Sequence, residues 1–181
     1  MSQTDALRGR IDREHIRRLI SLRKIVVVGG GYAGFYAAWG LEKRLRRSEA
    51  EISVVDPRPY MTYQPFLPEV AAGSIEARHA AVSLRRHLRR TKVIAGSVIR
   101  IDHGRRQLLV RPTEGPDFTL DYDIVVVTAG AVTRKFPVPG IEQFAIGLKH
   151  VEEAVAIRDR ILVSFDRAAN LPPRQSVTTP T

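Results

Sequence analysis

Six residues near the N-terminus have the types and spacing to hold a diphosphate. Gly29-Gly30-Gly31-Tyr32-Ala33-Gly34 fits the pattern G-x-G-x-x-G. The glycines of the pattern differ in role. Gly29 permits a tight turn, Gly31 lets backbone approach a pyrophosphate, and Gly34 lets a helix pack closely on a strand. Tyr32 and Ala33 open that helix, whose first N–H groups would face the phosphates while its dipole favours their charge. The hexapeptide alone is a weak signal, so its context decides. An apolar run, Ile25 to Val28, precedes it, a helical pattern follows, and Asp56 ends the next strand 22 positions after Gly34, where about 20 are expected. Asp56 can accept hydrogen bonds from ribose hydroxyls and would repel a 2′-phosphate, which disfavours NADP. The competing reading is a glycine turn that holds nothing.

The elements that must position these residues read as follows. Lys24–Val28 is a short buried strand, 33–47 a helix with Phe35, Ala38, Leu41 and Leu45 toward a sheet, and 51–56 a second strand; together they make a βαβ unit. Residues 57–73 hold four prolines and no clear period, which predicts a long irregular segment of the kind that often carries function. Residues 76–90 read as one helix with Ala77, Ala80, Ala81, Leu84 and Leu88 on its apolar face. Three alternating stretches, 92–102, 107–111 and 117–121, predict a three-stranded meander. Residues 123–128 (DIVVVT) predict a fully buried strand, and 151–168 a last helix. A charged arm with loose helical spacing fills 1–22, and a polar Pro/Ser/Thr-rich tail from 170 to 181 reads as disordered. No internal repeat is found.

Composition bounds the chemistry. A chain of 181 residues with 44% apolar and 27% charged residues reads as a soluble globular chain with one core. It has no cysteine, which excludes a disulfide framework, a thiolate metal site, an iron–sulfur cluster and a redox-active cysteine pair on this chain. His79, His87, His103 and His150 are scattered without ligand spacing, so no metal site is expected. The net charge is +10; without a nucleic-acid motif, a solvated surface is the simpler reading and no nucleic-acid partner is expected. The run 85–90 (RRHLRR) reads as a solvated helix face, with a membrane-surface role as the alternative. Trp39 reads as a core residue of the first helix. Ile25 to Leu41 carries no charge, but five glycines fall inside it, so strand, turn and helix explain it better than a membrane span.

The order of the later motifs separates FAD from NAD as the ligand of the fingerprint. After the meander comes Tyr122-Asp123-Ile124-Val125-Val126-Val127-Thr128-Ala129-Gly130, which resembles the second signature of glutathione-reductase-like flavoproteins. The stretches DPRPYMTYQPFLPEVAAGSIEARH, GSVIRID, YDIVVVTAGAVTRKFPVPGI and LKHVEEAVAIRDRIL resemble type II NADH dehydrogenases over roughly residues 23–167. The resemblance implies an α/β, Rossmann-like FAD-binding fold: a parallel sheet with an inserted three-stranded β-meander, here truncated. It implies an FAD domain over 23–147 and a connecting helix over 148–169. It implies that Gly29, Gly31, Tyr32, Ala33 and Gly34 hold the FAD pyrophosphate and Asp56 the ribose. The Val98 backbone would meet the adenine, Thr128, Ala129 and Gly130 would line the cofactor, and Gln64 and Pro65 would lie near the isoalloxazine.

The family also has a second Gly-rich motif for NADH, a Gly-Asp motif closing the FAD site and a C-terminal membrane-binding region. Neither glycine motif can follow Gly147, the last glycine here. The expected activity is therefore NADH-to-quinone electron transfer by the family, with NADH as co-substrate and quinone as acceptor. This chain holds only the FAD-binding half, assigns no catalytic residue, and is not expected to oxidise NADH alone. The alternative is a truncated or stand-alone FAD- or nucleotide-binding module. The strand 124–128 is expected to leave an uncovered apolar edge that invites self-association. The expected location is the cytoplasm, with peripheral contact on the inner face of the cell membrane as an option.

Overall fold

The computed structural model describes residues 22–132 and 136–171. Apart from Leu22, Asn170 and Leu171, the arm and the tail expected at the two ends lie outside the described residues.

Four consecutive residues, Ile25 to Val28, are all β-branched isoleucine or valine. They make up most of β1 (Arg23–Val28), and Ile25 to Val28 are buried. Branching at Cβ favours a pleated strand, and burial on both faces is what a parallel sheet demands. Helix α1 (Tyr32–Arg44) follows, burying Gly34, Phe35 and Ala38, and it stops at Leu45, whose backbone is extended. β2 (Ala50–Asp56) returns parallel to β1, with Val28 opposite Val55. The charge-free stretch from Ile25 to Leu41 is thus strand, turn and helix, and no helix among the described residues is long and apolar enough to cross a membrane.

Eight strands are described: β3 (Tyr60–Thr62), β4 (Ala81–Ser83), β5 (Lys92–Asp102), β6 (Gln107–Pro112), β7 (Phe118–Asp121) and β8 (Ile124–Val127) join the first two. Six form one sheet in the order β7-β6-β5-β2-β1-β8, and β3 pairs with β4. β5 serves two ladders. Its start, Lys92 to Ala95, runs parallel to β2, and from Gly96 onward it pairs antiparallel with β6. That double use joins the parallel sheet to the meander β5-β6-β7 and bears out the expected α/β Rossmann-like architecture with an inserted meander. Val26, Val28, Val55, Leu108, Val110 and Tyr122 form a shared core under both. Tyr122 is 3% exposed, and its hydroxyl meets His103 Nδ1 at 3.0 Å.

The described residues form two compact units. The first holds those up to Met61 and Ser83–Gly130; the second holds Thr62–Val82 and those from Ala131 onward. In the second, a 3-10 turn (Gln64–Phe66) leads into α2 (Leu67–Ala71), and a further 3-10 turn covers Ala77–Ala80. The short helix α3 (Leu84–His87) belongs to the first unit. α4 (Ile141–Phe144) and α5 (Val151–Ala169) complete the second. Leu67, Val70, Ala80 and Ala154 form its core. The start of α5 is fixed by Glu153, whose carboxylate accepts the N–H of Lys149 at 2.7 Å and of His150 at 2.9 Å. His150 is therefore a helix-capping position.

Five expectations need correction. Residues 57–73 are not one irregular segment but a strand and a helix, because Pro65 and Pro68 sit in the first turns of the helical elements, where a missing N–H costs nothing. Residues 76–90 are not one helix: Ala81–Ser83 is drawn into pairing with β3, and α3 is only Leu84–His87. Here tertiary pairing overrides a helical pattern. β8 is not fully buried; it is an edge strand with Ile124 46% and Val127 60% exposed. Trp39 is not core: it is 38% exposed, with Lys43 Nζ 3.3 Å from its ring centre. Arg90, expected on a solvated face, is turned inward as a cap on α1. Its guanidinium donates to the carbonyls of Glu42 and Leu45, and its N–H donates to Glu42 Oε1 at 2.8 Å.

Candidate functional site

The carboxyl ends of β1, β2 and β8 bring three sequence motifs together. β1 sends the chain to β2 on one side, while β8 joins β1 on the other. That is a switch point of strand order, where open parallel sheets leave a crevice for ligands. Gly29 to Gly34, Asp56 and Thr128 all meet there.

The glycine turn is held from below and from both sides. Gly29 N donates to Val55 O at 2.9 Å. Its φ of +99° lies in the region that side chains avoid, and a Cβ there would strike the Thr128 backbone. Thr128 Oγ1 donates to Val28 O at 2.8 Å and to Gly29 O at 3.0 Å. Gly34 fits against the Gly29 carbonyl, with Thr128 Oγ1 2.7 Å from where its Cβ would be. Helix, turn and β8 are thus locked in backbone contact. Gly31 differs: a Cβ there would meet nothing within 4 Å. Three positions of the turn are glycine because protein atoms fill the space; Gly31 faces open space at the N-cap of α1.

The helix start contributes partial positive charge at that point. α1 has no side-chain cap and no acidic residue in its first turn, and its last turn carries Lys43 and Arg44. The amide groups of its opening turn therefore present their partial positive charge outward.

Asp56 is half-buried beside this turn, and its two carboxylate oxygens are aimed by backbone. Oδ2 accepts Gly30 N–H at 2.6 Å and Oδ1 accepts Arg58 N–H at 2.7 Å. A carboxylate has about four acceptor sites, so each oxygen keeps capacity for a hydroxyl. Arg58 is not among the sequence candidates, and Gly30 stands in the motif without an assigned role. The D-x-R spacing is a side-chain-to-backbone turn that could have flagged Arg58. Nothing local marks Leu84, whose Cδ1 lies 2.6 Å from where a Gly30 Cβ would be.

The remaining candidates divide. Ala129 follows Thr128 beside Gly29, and Gly130 has φ +73° with open space at its Cβ position. Val98 lies on β5 three residues beyond Ala95, the partner of Asp56, at the bulge between Val98 and Arg100. That places it about 10 Å along the strand from Asp56's neighbour, on the same side of the sheet end. Gln64 and Pro65 open the 3-10 turn of the second unit.

The model of the pyridine nucleotide-disulphide oxidoreductase family matches residues 23–165. The chain belongs to that family. Among curated relatives, an external alternative NAD(P)H-ubiquinone oxidoreductase B3 from Arabidopsis thaliana mitochondria is 33% identical over 81% of this chain and 26% of its own length. The type II NADH:quinone oxidoreductase Ndh of Mycobacterium tuberculosis is 32% identical over 80% of this chain and 31% of its own. A solved structure of NDH2 from Plasmodium falciparum superposes with a TM-score of 0.76 at 22% identity, covering 86% of this chain and 31% of that one. The resemblance to type II NADH dehydrogenases read from the sequence is borne out. The chain spans about a quarter to a third of the length of the curated relatives it matches. The family name refers to disulphide chemistry, yet this chain has no cysteine and can contribute no thiol to it.

Proposed function

We propose that this chain binds FAD at the glycine turn and is the flavin-binding portion of an enzyme that carries electrons from NADH to a quinone. The observation that carries the reading is the contrast within the turn. Gly29, Gly30 and Gly34 are filled against by protein, whereas Gly31, at a helix start with no acidic residue in its first turn, opens outward. Open space at a helix start whose backbone N–H groups face outward fits a pyrophosphate. Gly29, Gly31, Tyr32, Ala33 and Gly34 would hold it, Asp56 the ribose, and the Val98 backbone the adenine. Thr128, Ala129 and Gly130 would line the same cofactor, and Gln64 and Pro65 would approach its ring system.

The flavin, when bound, supplies the hydride and electron chemistry. The residues of this chain bind and orient. Thr128 keeps the Gly29 peptide in place, and Gly30 N–H holds Asp56 toward the ribose. No side chain here is assigned a role in moving a proton, and NADH enters as the co-substrate of the larger relatives. A second reading is an FAD-binding module without catalytic activity of its own. The basic charge fits a cytoplasmic protein with peripheral contact at the inner face of the membrane. The edge strand β8 fits self-association through its free side.

The test is flavin retention. Purified chain is mixed with FAD and desalted, and its visible spectrum is recorded. Retained oxidised-flavin bands are expected; a colourless protein at high concentrations of both refutes the reading.

A further inference from the structure

We infer that Leu84 is a positioning residue of the cofactor site: it holds the Gly30 N–H on Asp56 and so aims that carboxylate at the ribose. The role toward the ribose rests on the FAD reading above; the hold on Gly30 and Asp56 does not depend on it. Gly30 is the second position of the fingerprint, where the pattern G-x-G-x-x-G leaves the residue free. Here it is a buried glycine, and its backbone does not have a positive φ. Space is what excludes a side chain. A Cβ built on Gly30 would lie 2.6 Å from Leu84 Cδ1 and 3.2 Å from Asp56 Cβ. Leu84, itself fully buried, thus occupies the volume that any other residue at position 30 would fill.

Asp56 is clamped from two sides, and Leu84 reaches both clamps. On one side Oδ2 accepts the Gly30 N–H at 2.6 Å, and the Leu84 side chain closes the space over Gly30. On the other side Oδ1 accepts the Arg58 N–H at 2.7 Å. The next residue along, Pro59, accepts the Leu84 N–H at its carbonyl at 3.0 Å. The Leu84 backbone therefore ties down the turn that carries Arg58. Side chain and main chain of one residue brace the two donors that aim the carboxylate. Leu84 is fixed in turn from its own helix: it opens α3, and its carbonyl accepts the N–H of the buried Leu88 at 2.8 Å. In a close-packed interior a side chain held in this way has little freedom to move aside. A ligand-facing group keeps its geometry only when packing and hydrogen bonds around it are locked, which is the part Leu84 plays. Gly30, Asp56, Arg58, Pro59 and Leu84 all lie in the first compact unit. The Leu84 side chain has no polar atom to offer a ribose, so its effect on the ligand passes through Gly30 and Asp56.

The test uses the full chain and its variants L84V, L84M, G30A and G30A/L84V, with circular dichroism confirming each fold. L84V withdraws Cδ1 from Gly30, and L84M keeps an apolar reach. In FAD titrations by calorimetry, G30A and L84V should each weaken binding about tenfold. The double variant should also lose about tenfold, rather than the roughly hundredfold of independent sites. L84M should bind within about threefold of the wild type. The second readout is the Gly30 amide, followed by NMR in the isotopically labelled chain without ligand. In L84V its proton should move upfield and exchange with solvent on the order of tenfold faster. L108V, at an equally buried leucine of the meander core, should leave that amide unchanged. Should L84V unfold, L84I takes its place, since it moves the branch off Gly30 at constant volume. A wild-type chain that retains no FAD refutes the function proposed above, and the Gly30 amide then decides the hold of Leu84 on Asp56 by itself. Additive losses in the double variant, or a Gly30 amide that L84V leaves in place, overturn the inference. An amide that moves while FAD affinity stays constant overturns it as well, and leaves Leu84 a core residue only.

Discussion

Adding one methyl group at two positions of the same turn should separate ligand binding from folding. At Gly31 the backbone has φ −68° and ψ −166°, a conformation open to any residue, and the new Cβ would touch no protein atom within 4 Å. Alanine is a poorer N-cap than glycine by a few tenths of a kcal/mol or more, and it recovers about 0.4–1 kcal/mol by restricting the unfolded chain. The two nearly cancel, so G31A should change stability by less than about 0.5 kcal/mol. At Gly34 the methyl would enter the Gly29 carbonyl, with Thr128 Oγ1 2.7 Å away. These are backbone and a bonded hydroxyl, neither able to swing aside, and such overpacking costs about 1–3 kcal/mol. For a chain of this size that lowers Tm by roughly 2–12 °C. FAD affinity should invert the order of effects on a per-kcal basis. G31A puts its methyl where the pyrophosphate would rest and should weaken binding at least about tenfold, or about 1.4 kcal/mol. Thermal melts by circular dichroism and FAD titration by calorimetry measure both quantities. If G31A melts as low as G34A, or binds FAD as tightly as the wild type, the reading of Gly31 as the ligand-facing glycine is wrong.

Three further outcomes follow from the same contacts. T128V removes the hydroxyl that donates to Val28 O and Gly29 O; stability should fall by about 1 kcal/mol, with a larger proportional loss of FAD affinity seen by titration. R90Q should cost about 1–3 kcal/mol in urea unfolding, because it strips the cap from α1 and leaves partly buried carbonyls unmet, while R89Q on the exposed neighbour should stay within about 0.5 kcal/mol. V127K places a charge on the free edge of β8, and analytical ultracentrifugation should then show less self-association than the wild type; equal association would move the contact away from that edge.

The parts of the fold that were legible in the sequence are those where one local rule sufficed. The run Ile25 to Val28 could only be a buried strand. The three alternating stretches could only be a meander. The gap from Gly34 to Asp56 placed the acidic residue at the end of β2, and the structure brings it within a hydrogen bond of Gly30. Where the reading failed, a distant partner decided. Ala81 to Ser83 has helical neighbours in sequence but a strand partner in β3. Trp39 has a core residue's composition but lies on α1's outer stripe, one position past the buried Ala38. Arg90 looks like its neighbours in the run 85–90, yet only it reaches the last carbonyls of a helix 45 and more residues earlier. No pattern within a window of sequence carries that information.

The lock on the glycine turn comes from far along the chain. Thr128 is 99 residues beyond the Gly29 carbonyl it holds, and β8 must reach β1 before that bond exists. During synthesis, a nascent chain that has not yet extended to Thr128 already displays the whole fingerprint, Asp56 included, and still lacks the pocket wall. Pulling such ends together is slow, since the entropy of closing the loop is lost before any contact is gained. On the function proposed above, cofactor capture in the growing polypeptide is a late event, timed by the arrival of one threonine rather than by the glycines of the turn.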